Sequence, residues 1–235
     1  MKRLALVVEA DADARTATAY ADRVFSEAGL DPEVARVWEK QFTWRDAAKR
    51  RQELGRKAHG HFNGEAGAPD AQAARGVLMV LDLLSQRPDA VILMRDADLQ
   101  DQGRRRGLEQ ARQEHELRGR SPNVVVIGLA VPKREAWVLV GFDPLDDEER
   151  EALASEQRRL GFDPTRRPHQ LTASKHGAEH DIKVCVSALA IDQSREVACY
   201  SSRSISELRE RDKGIGLSGY LNEVLDRICP ILSRV

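Results

Sequence analysis

The chain has 235 residues, 41% of them hydrophobic and 32% charged, which suffices for one sizeable α/β domain and excludes wholesale disorder. Its formal net charge of −1 excludes an overall basic field, so any nucleic-acid contact must come from local basic patches. The three cysteines lack CxxC spacing, which argues against a zinc ribbon or a disulfide framework and favours a reducing compartment. No apolar stretch approaches the roughly 18 residues of a membrane span. We therefore expect a soluble, cytoplasmic protein.

Strands and helices alternate along the first part of the chain. Residues 4–8 (LALVV) form a continuous apolar run, typical of a strand buried on both faces of a parallel sheet. A helix is predicted from Asp13 to Ala28, followed by a weaker strand at 34–38. A basic helix at 44–58 then leads into a Gly-rich loop at 59–71.

The same alternation continues to about residue 131. A second good helix is predicted at 71–86, before a strong apolar strand at 90–94 (AVILM). A polar helix at about 103–119 precedes a third strong strand at 123–131. This order predicts βαβ units, that is, a Rossmann-like, mainly parallel sheet with helices on both faces.

The composition changes after about residue 145. A charged helix is predicted at 144–162, a second helix at 180–191 and a helical segment near the C-terminus. We therefore predict an α/β core at 1–145 and a mostly helical extension at 146–235, packed together as a single compact unit.

All three strong strands end in, or close to, carboxylates. Glu9 directly follows the first strand, Asp96 and Asp98 follow the second, and Glu135 lies four residues beyond the third. Ligands of open parallel sheets bind beyond the carboxyl ends of the strands. A carboxylate pair at positions i and i+2 can hold a hard cation such as Mg²⁺, which prefers carboxylates, waters and phosphate oxygens. The sequence therefore indicates a cation site at this edge.

A purely structural interpretation stays open for each of these acids. Asp favours turns and helix N-caps, so Asp11 or Asp13 can simply cap the helix that follows the first strand. Glu135 can likewise be a first-turn helix residue beside Trp137.

Two of these segments resemble the Toprim fold shared by topoisomerases, primases and OLD-type nucleases. They are "VVEADADA" at the end of the first strand and "VILMRDADLQD" at the end of a later one. The resemblance implies that Glu9 is the Toprim glutamate, that Asp96 and Asp98 are the Asp-x-Asp pair, and that Asp13 is the acid after the glutamate. The chain departs from the pattern at Ala10, where the family usually has Gly. It also has Gln100 at a position often acidic, with Asp101 one place later.

Later segments resemble an uncharacterised bacterial Toprim-like family, and this resemblance covers most of the chain. The matching stretches are "KREAW", "AEHDIK" and "DKGIGLSGYLNEV". Members of that family are similar to components found beside ATPases in bacterial defence clusters. The resemblance therefore implies an ATPase as a protein partner and a role in defence.

Together the motifs predict a Mg²⁺-dependent or Mn²⁺-dependent nuclease that acts on DNA or RNA. Glu9 would be a general acid/base or metal ligand, and Asp96 and Asp98 metal ligands. Asp13 and Glu135 would be secondary ligands, and Lys183 would neutralise phosphate charge. Two alternatives stay open: a non-catalytic regulatory subunit of an ATPase partner, and a nucleotide-handling or phosphate-handling transferase. The oligomeric state also stays open.

Other candidate residues give weaker signals. His176 and His180 have metal-ligand spacing, but the glycine between them argues against a rigid helix. Basic clusters at 49–57, 103–107 and 166–169 are candidate phosphate contacts and are equally typical of exposed helix faces.

Overall fold

The computed structural model describes residues 2–32, 36–38, 42–62, 64–190 and 192–233. The fold is α/β, with a parallel sheet flanked by helices. The strands are β1 (Lys2–Val8), β2 (Arg36–Trp38), β3 (Phe42–Thr43), β4 (His61–Phe62), β5 (Glu65–Ala66), β6 (Ala90–Asp96) and β7 (Val124–Ala130). The helices are α1 (Asp11–Glu27), α2 (Trp44–Glu53), α3 (Ala71–Asp82), α4 (Asp101–Leu117), α5 (Glu135–Gly141), α6 (Asp147–Leu160), α7 (Ile182–Leu189), α8 (Gln193–Cys199), α9 (Ile205–Arg211), α10 (Leu217–Glu223) and α11 (Cys229–Leu232). None of the helices within these ranges is long and apolar enough to cross a membrane.

The sheet has the strand order β2-β1-β6-β7, and β3 also pairs with β1. β1 runs parallel to β2, β3 and β6, and its register with β6 puts Leu4 opposite Ala90 and Val7 opposite Leu93. The apolar runs of β1 and β6 are buried, as expected for central strands covered on both faces. The predicted parallel α/β sheet flanked by helices is thus confirmed. Helices on both faces stay a prediction.

The described residues divide into two compact units whose chain segments interleave. The first unit holds the residues up to Arg95, Gln100–Leu129 and the residues from Tyr220 onward. The second holds Asp96–Leu99 and Ala130–Gly219. The chain therefore changes unit at Ala130, before the boundary predicted near residue 145, and its C-terminal segment belongs to the unit that contains the sheet.

The core of the first unit forms around the sheet and α1. Tyr20, Val24 and Phe25 of α1 are buried, which confirms the apolar face predicted for this helix. Tyr220 is also fully buried, and its hydroxyl donates to the carbonyl of Ala17 at 2.7 Å. This hydrogen bond satisfies the only polar atom of a large buried side chain and fixes the C-terminal segment against α1.

The core of the second unit forms around α5. Trp137 is fully buried, and its indole N–H donates to the carbonyl of Ile215 at 2.8 Å. The same carbonyl accepts the backbone N–H of Val131 at 2.9 Å. Ile215, just before α10, is thereby bonded to Val131 and to Trp137, which lie on either side of the start of the "KREAW" motif.

Several predicted elements differ from the observed ones at their ends. The helix predicted at 44–58 ends at Glu53, because the chain turns at Gly55, whose φ of 63° lies in the left-handed region that favours glycine. The loop predicted at 59–71 contains the hairpin formed by β4 and β5. Of the strand predicted at 34–38, residues 36–38 form β2, and residues 34 and 35 lie outside the described ranges.

Candidate functional site

Glu9 lies directly beyond the carboxyl end of β1 and is paired with an arginine of the neighbouring strand. Continuing the register of β1 and β6 by two residues puts Glu9 opposite Arg95. Arg95 Nη1 lies 3.3 Å from Glu9 Oε1, and the Glu9 side chain remains 40% exposed. The proposed catalytic carboxylate is therefore reachable from solvent and already has a cationic partner.

Arg95 is held by a second carboxylate as well. Its Nη2 and Nε atoms donate to the two carboxylate oxygens of Asp70, at 3.1 and 3.3 Å. Arg104 Nε lies 3.5 Å from the same carboxylate, and the Arg95 guanidinium lies 5.0 Å from the centre of the Trp44 ring. A forked pair of this kind fixes the plane of a guanidinium, so Arg95 has little freedom to turn away from Glu9.

Asp13 folds back onto the turn that carries Glu9. Its Oδ2 accepts the backbone N–H of Ala10 at 2.8 Å and that of Glu9 at 3.2 Å. Ala10 precedes α1 and has no side chain that can cap the helix, so Asp13 supplies the polar contact at this terminus. The structural interpretation of Asp13 is confirmed, and its role as a metal ligand stays a proposal.

The remaining predicted ligands lie in the second unit. Asp96 Oδ1 accepts the backbone N–H of Arg134 at 2.8 Å, immediately before Glu135 opens α5. Arg134 is buried, ion-paired with Glu196, and has its Nη2 3.6 Å from Glu135 Oε1. Asp98 has a φ of 44°, a conformation that is costly for a residue other than glycine. In this unit Asp96 and Glu135 thus contact the same arginine.

Lys183 lies at the start of α7, where the neighbouring Asp181 has a structural role. Asp181 is buried and accepts N–H groups from Gly177 and Lys183, together with His176 Nδ1 at 3.1 Å. Burial opposes ionisation, but these hydrogen bonds outweigh it and hold the pKa of the Asp181 carboxyl below its usual range. Asp181 is therefore the cap of α7, and the Lys183 side chain is exposed.

The arginines of the 103–107 cluster all have acidic partners within the first unit. The pairs, with their N–O distances, are Arg104–Asp70 at 3.5 Å, Arg105–Glu109 at 3.2 Å and Arg106–Glu65 at 3.1 Å. Exposed pairs such as Arg106–Glu65 exchange partners at little cost. A phosphate could therefore replace Glu65 as the partner of Arg106 more easily than it could replace Asp70 as the partner of the less exposed Arg104.

The carboxylates implied by the resemblance match Mg²⁺ or Mn²⁺ in donor chemistry, because hard cations bind carboxylate oxygens. Their arrangement is less favourable. Among the residues that the structure describes, no group of three or more His, Cys, Asp or Glu side chains is placed to hold a metal ion. Glu9 and Asp13 belong to the first unit and Asp96, Asp98 and Glu135 to the second.

The sequence motifs did not reveal the partners of Glu9. Arg95 stands inside the "MRDAD" motif, but only the register between β1 and β6 assigns it to Glu9. Asp70 was predicted only as part of a loop. The sequence around it, a Pro-Asp dipeptide, does not predict its left-handed backbone, with a φ of 66°, or its contact with Arg95. No protein-family model, curated protein or solved structure matches this chain.

Proposed function

We propose that this chain is a divalent-cation-dependent, Toprim-type phosphodiesterase that acts on nucleic acid, and that it serves in bacterial defence in the cytoplasm. One observation carries the proposal. β1 and β6 are neighbouring parallel strands, and the chain has an acidic residue at the carboxyl end of each, Glu9 after β1 and Asp96 in β6. This edge is where parallel α/β sheets bind their ligands.

In the second unit, the residues proposed as ligands of Mg²⁺ or Mn²⁺ are Asp96, Asp98 and Glu135. In the first unit, the proposed ligands are Glu9 and Asp13. When bound, a divalent cation stabilises charge on phosphoryl oxygens and lowers the pKa of a bound water. Glu9 is the proposed general acid/base, because its carboxylate is reachable from solvent at the carboxyl end of β1 and is oriented by Arg95. Lys183, exposed on α7, would neutralise phosphate charge.

Cleavage assays test this proposal directly. Purified wild type, Glu9→Gln and Asp96→Asn are compared on single-stranded and double-stranded DNA and RNA, in Mg²⁺, Mn²⁺ and EDTA. We expect wild-type cleavage with either cation and none in EDTA, and a loss of at least about 100-fold in each variant. Asp11→Asn is the matched control, because Asp11 is an exposed acid in the first turn of α1. No cleavage of any substrate by the wild type would contradict the proposal.

A second candidate is a non-catalytic, Toprim-like subunit that regulates an ATPase partner. The Arg95–Glu9 ion pair favours this candidate. Arg95, which Asp70 holds in place, already supplies the positive charge beside Glu9 that a bound cation would supply in the enzyme. Titration with Mn²⁺ separates the two candidates. Binding that is lost in Asp96→Asn and Asp98→Asn supports the enzyme, and no binding in the wild type supports the regulator.

A further inference from the structure

A cavity of about 100 Å³ lies within the second unit, beside Asp98. Its floor is apolar and consists of Pro132, Leu171 and Ile182, all of which are buried. A flat apolar group that entered this cavity would gain free energy by leaving water. The volume is small compared with the roughly 300–1,000 Å³ of pockets that enclose a drug-sized ligand, and it suits a group the size of one ring system.

The rim of the cavity carries polar groups of complementary kinds. Asp98 and Lys133 both line it, and their side chains end in a carboxylate, which accepts hydrogen bonds, and an ammonium group, which donates them. Thr172 and Ser174 add two exposed hydroxyls, each of which can do either. A ligand with apolar faces and an edge of mixed donors and acceptors would satisfy both the floor and the rim.

Backbone hydrogen bonds hold the wall of the cavity that contains Asp98. The Ala97 N–H donates to the carbonyls of Ala130 and Pro132 at 2.8 and 3.1 Å, and the Asp98 N–H donates to Pro132 at 3.0 Å. Asp98 and the following residue, Leu99, have φ values of 44° and 68°. Positive φ values at two consecutive residues other than glycine are costly and typically persist where the surroundings impose them, often at ligand sites. The hydrogen bonds of Ala97 and Asp98 therefore reduce the ordering that a ligand would have to impose on this wall.

A nucleobase matches the apolar floor and the polar rim of this cavity. Its faces are apolar, and its edge alternates N–H donors with carbonyl and ring-nitrogen acceptors. Proteins that take a base out of its stack read it in this way, with apolar contacts to the faces and hydrogen bonds to the edge. Asp98 also connects the cavity to the proposed reaction, because it is both a rim residue and a proposed cation ligand.

We propose that this cavity binds one unstacked base of a single-stranded nucleic acid, at or next to the phosphodiester that is cleaved. The inference rests on the proposed function in that nucleic acid is the ligand. A base in a duplex must first leave its stack and its partner, which costs a few kcal/mol. Single strands should therefore bind more tightly than duplexes of the same sequence.

Binding is measured by fluorescence anisotropy in EDTA, where no cation-dependent cleavage occurs. The probes are a labelled 12-nucleotide single strand, its duplex, and a series of strands with one base removed at each position in turn. Ala173→Leu fills the cavity, because Ala173 lines it, and Lys133→Gln removes the ammonium group. Ala188→Leu is the matched control, since Ala188 is exposed on α7 and does not line the cavity.

We expect the Kd of the single strand to rise about tenfold or more in Ala173→Leu and in Lys133→Gln and to stay unchanged in Ala188→Leu. Removal of one particular base should produce a similar loss. Circular dichroism establishes that each variant is folded, and Lys133→Gln provides the test if Ala173→Leu does not fold.

Three outcomes would overturn the inference. They are equal affinity of wild type and Lys133→Gln, equal affinity for every strand in the base-removal series, and binding of a free mononucleotide without any binding of the strand. Cavity-dependent binding without cleavage in Mg²⁺ would contradict the proposed activity and support the base site. The two failures are thus distinguishable.

Discussion

Arg95 Nη1 lies 3.3 Å from Glu9 Oε1, while the same guanidinium forms a forked pair with Asp70. One arginine on β6 is thus paired with a carboxylate at the end of β1 and with another that precedes α3. Asp70 is only 13% exposed, so its charge depends on Arg95 more than that of Glu9 does. The pair fixes the geometry around the proposed catalytic carboxylate from within the first unit.

Removal of this arginine should destabilise the protein. In Arg95→Ala, Asp70 keeps a largely buried charge without its forked partner, and we expect a loss of about 1–2 kcal/mol in the free energy of unfolding. Urea unfolding followed by circular dichroism measures it. In the double variant Arg95→Ala/Asp70→Asn, part of the loss should be recovered, because the buried charge is gone and Asn tolerates the left-handed backbone at this position. An unfolding midpoint unchanged in Arg95→Ala would refute this account of the pair.

Asp13 should contribute to stability as the cap of α1. Asp13→Ala leaves the N–H groups of Glu9 and Ala10 without their acceptor, and we expect a cost of about 1 kcal/mol in the free energy of unfolding. Asp11→Ala, in the same turn, is the control and should change stability by less than about 0.5 kcal/mol. Equal effects of the two substitutions in urea unfolding would argue against the capping role.

The contact between α4 and the segment before α3 leaves no room for a side chain at Gly107. A Cβ atom there would overlap the carbonyl oxygen of Pro69 and lie 2.8 Å from the Ala71 nitrogen. We expect Gly107→Ala to cost about 1–3 kcal/mol, because backbone atoms must move to admit the methyl group.

Gly103→Ala is the matched control on the same helix. Its Cβ would meet only the ring of Pro69, at 3.3 Å from Cγ, and alanine favours a helix by about 1 kcal/mol over glycine. Thermal unfolding should show Gly103→Ala within about 1 kcal/mol of the wild type and Gly107→Ala clearly less stable. The reverse order would contradict the close approach of the two segments.

The stabilising effect of Asp181 should depend on pH. Although burial raises its pKa, hydrogen bonds from Gly177, Lys183 and His176 lower the pKa in the folded protein below the unfolded value of about 3.9. Its contribution is therefore complete above that unfolded value and is lost as the pH falls through the lower folded pKa. Asp181→Asn should destabilise the protein at pH 7, and the difference from the wild type should shrink in acid.

Urea midpoints of both proteins between pH 7 and the acid limit of folding measure this difference. Asp192→Asn, at the exposed cap of α8, is the control and should show a smaller difference at pH 7. A difference for Asp181→Asn that is the same at every pH would refute the assignment.

The apolar patterns predicted the central fold well, for a physical reason. β1, β6 and β7 are buried, so each needs an uninterrupted apolar run that is visible in the sequence. The short helices α8 and α9 were missed, because seven residues span two turns and give little periodicity. β3, with two residues, gives no pattern at all.

The site was only partly predictable. Glu9, Asp96 and Asp98 follow from their positions at strand ends, but the partners of Glu9 depend on tertiary pairing. Arg95 reaches Glu9 through the register of two strands 86 residues apart, and it reaches Asp70 through the start of α3. The cavity beside Asp98 was not visible in the sequence either, because segments 98–99, 132–133 and 171–174 meet there only in the folded chain.

Cleavage of one labelled single-stranded oligonucleotide, measured side by side for wild type and Glu9→Gln at saturating Mg²⁺, tests the central claim most directly. We predict that the wild type cleaves the strand and that EDTA abolishes cleavage. Glu9→Gln should keep the fold and lose at least about 100-fold in rate, because the carboxylate that exchanges a proton is gone. Equal rates for the two proteins, or no wild-type cleavage of single-stranded DNA or RNA, would contradict the claim.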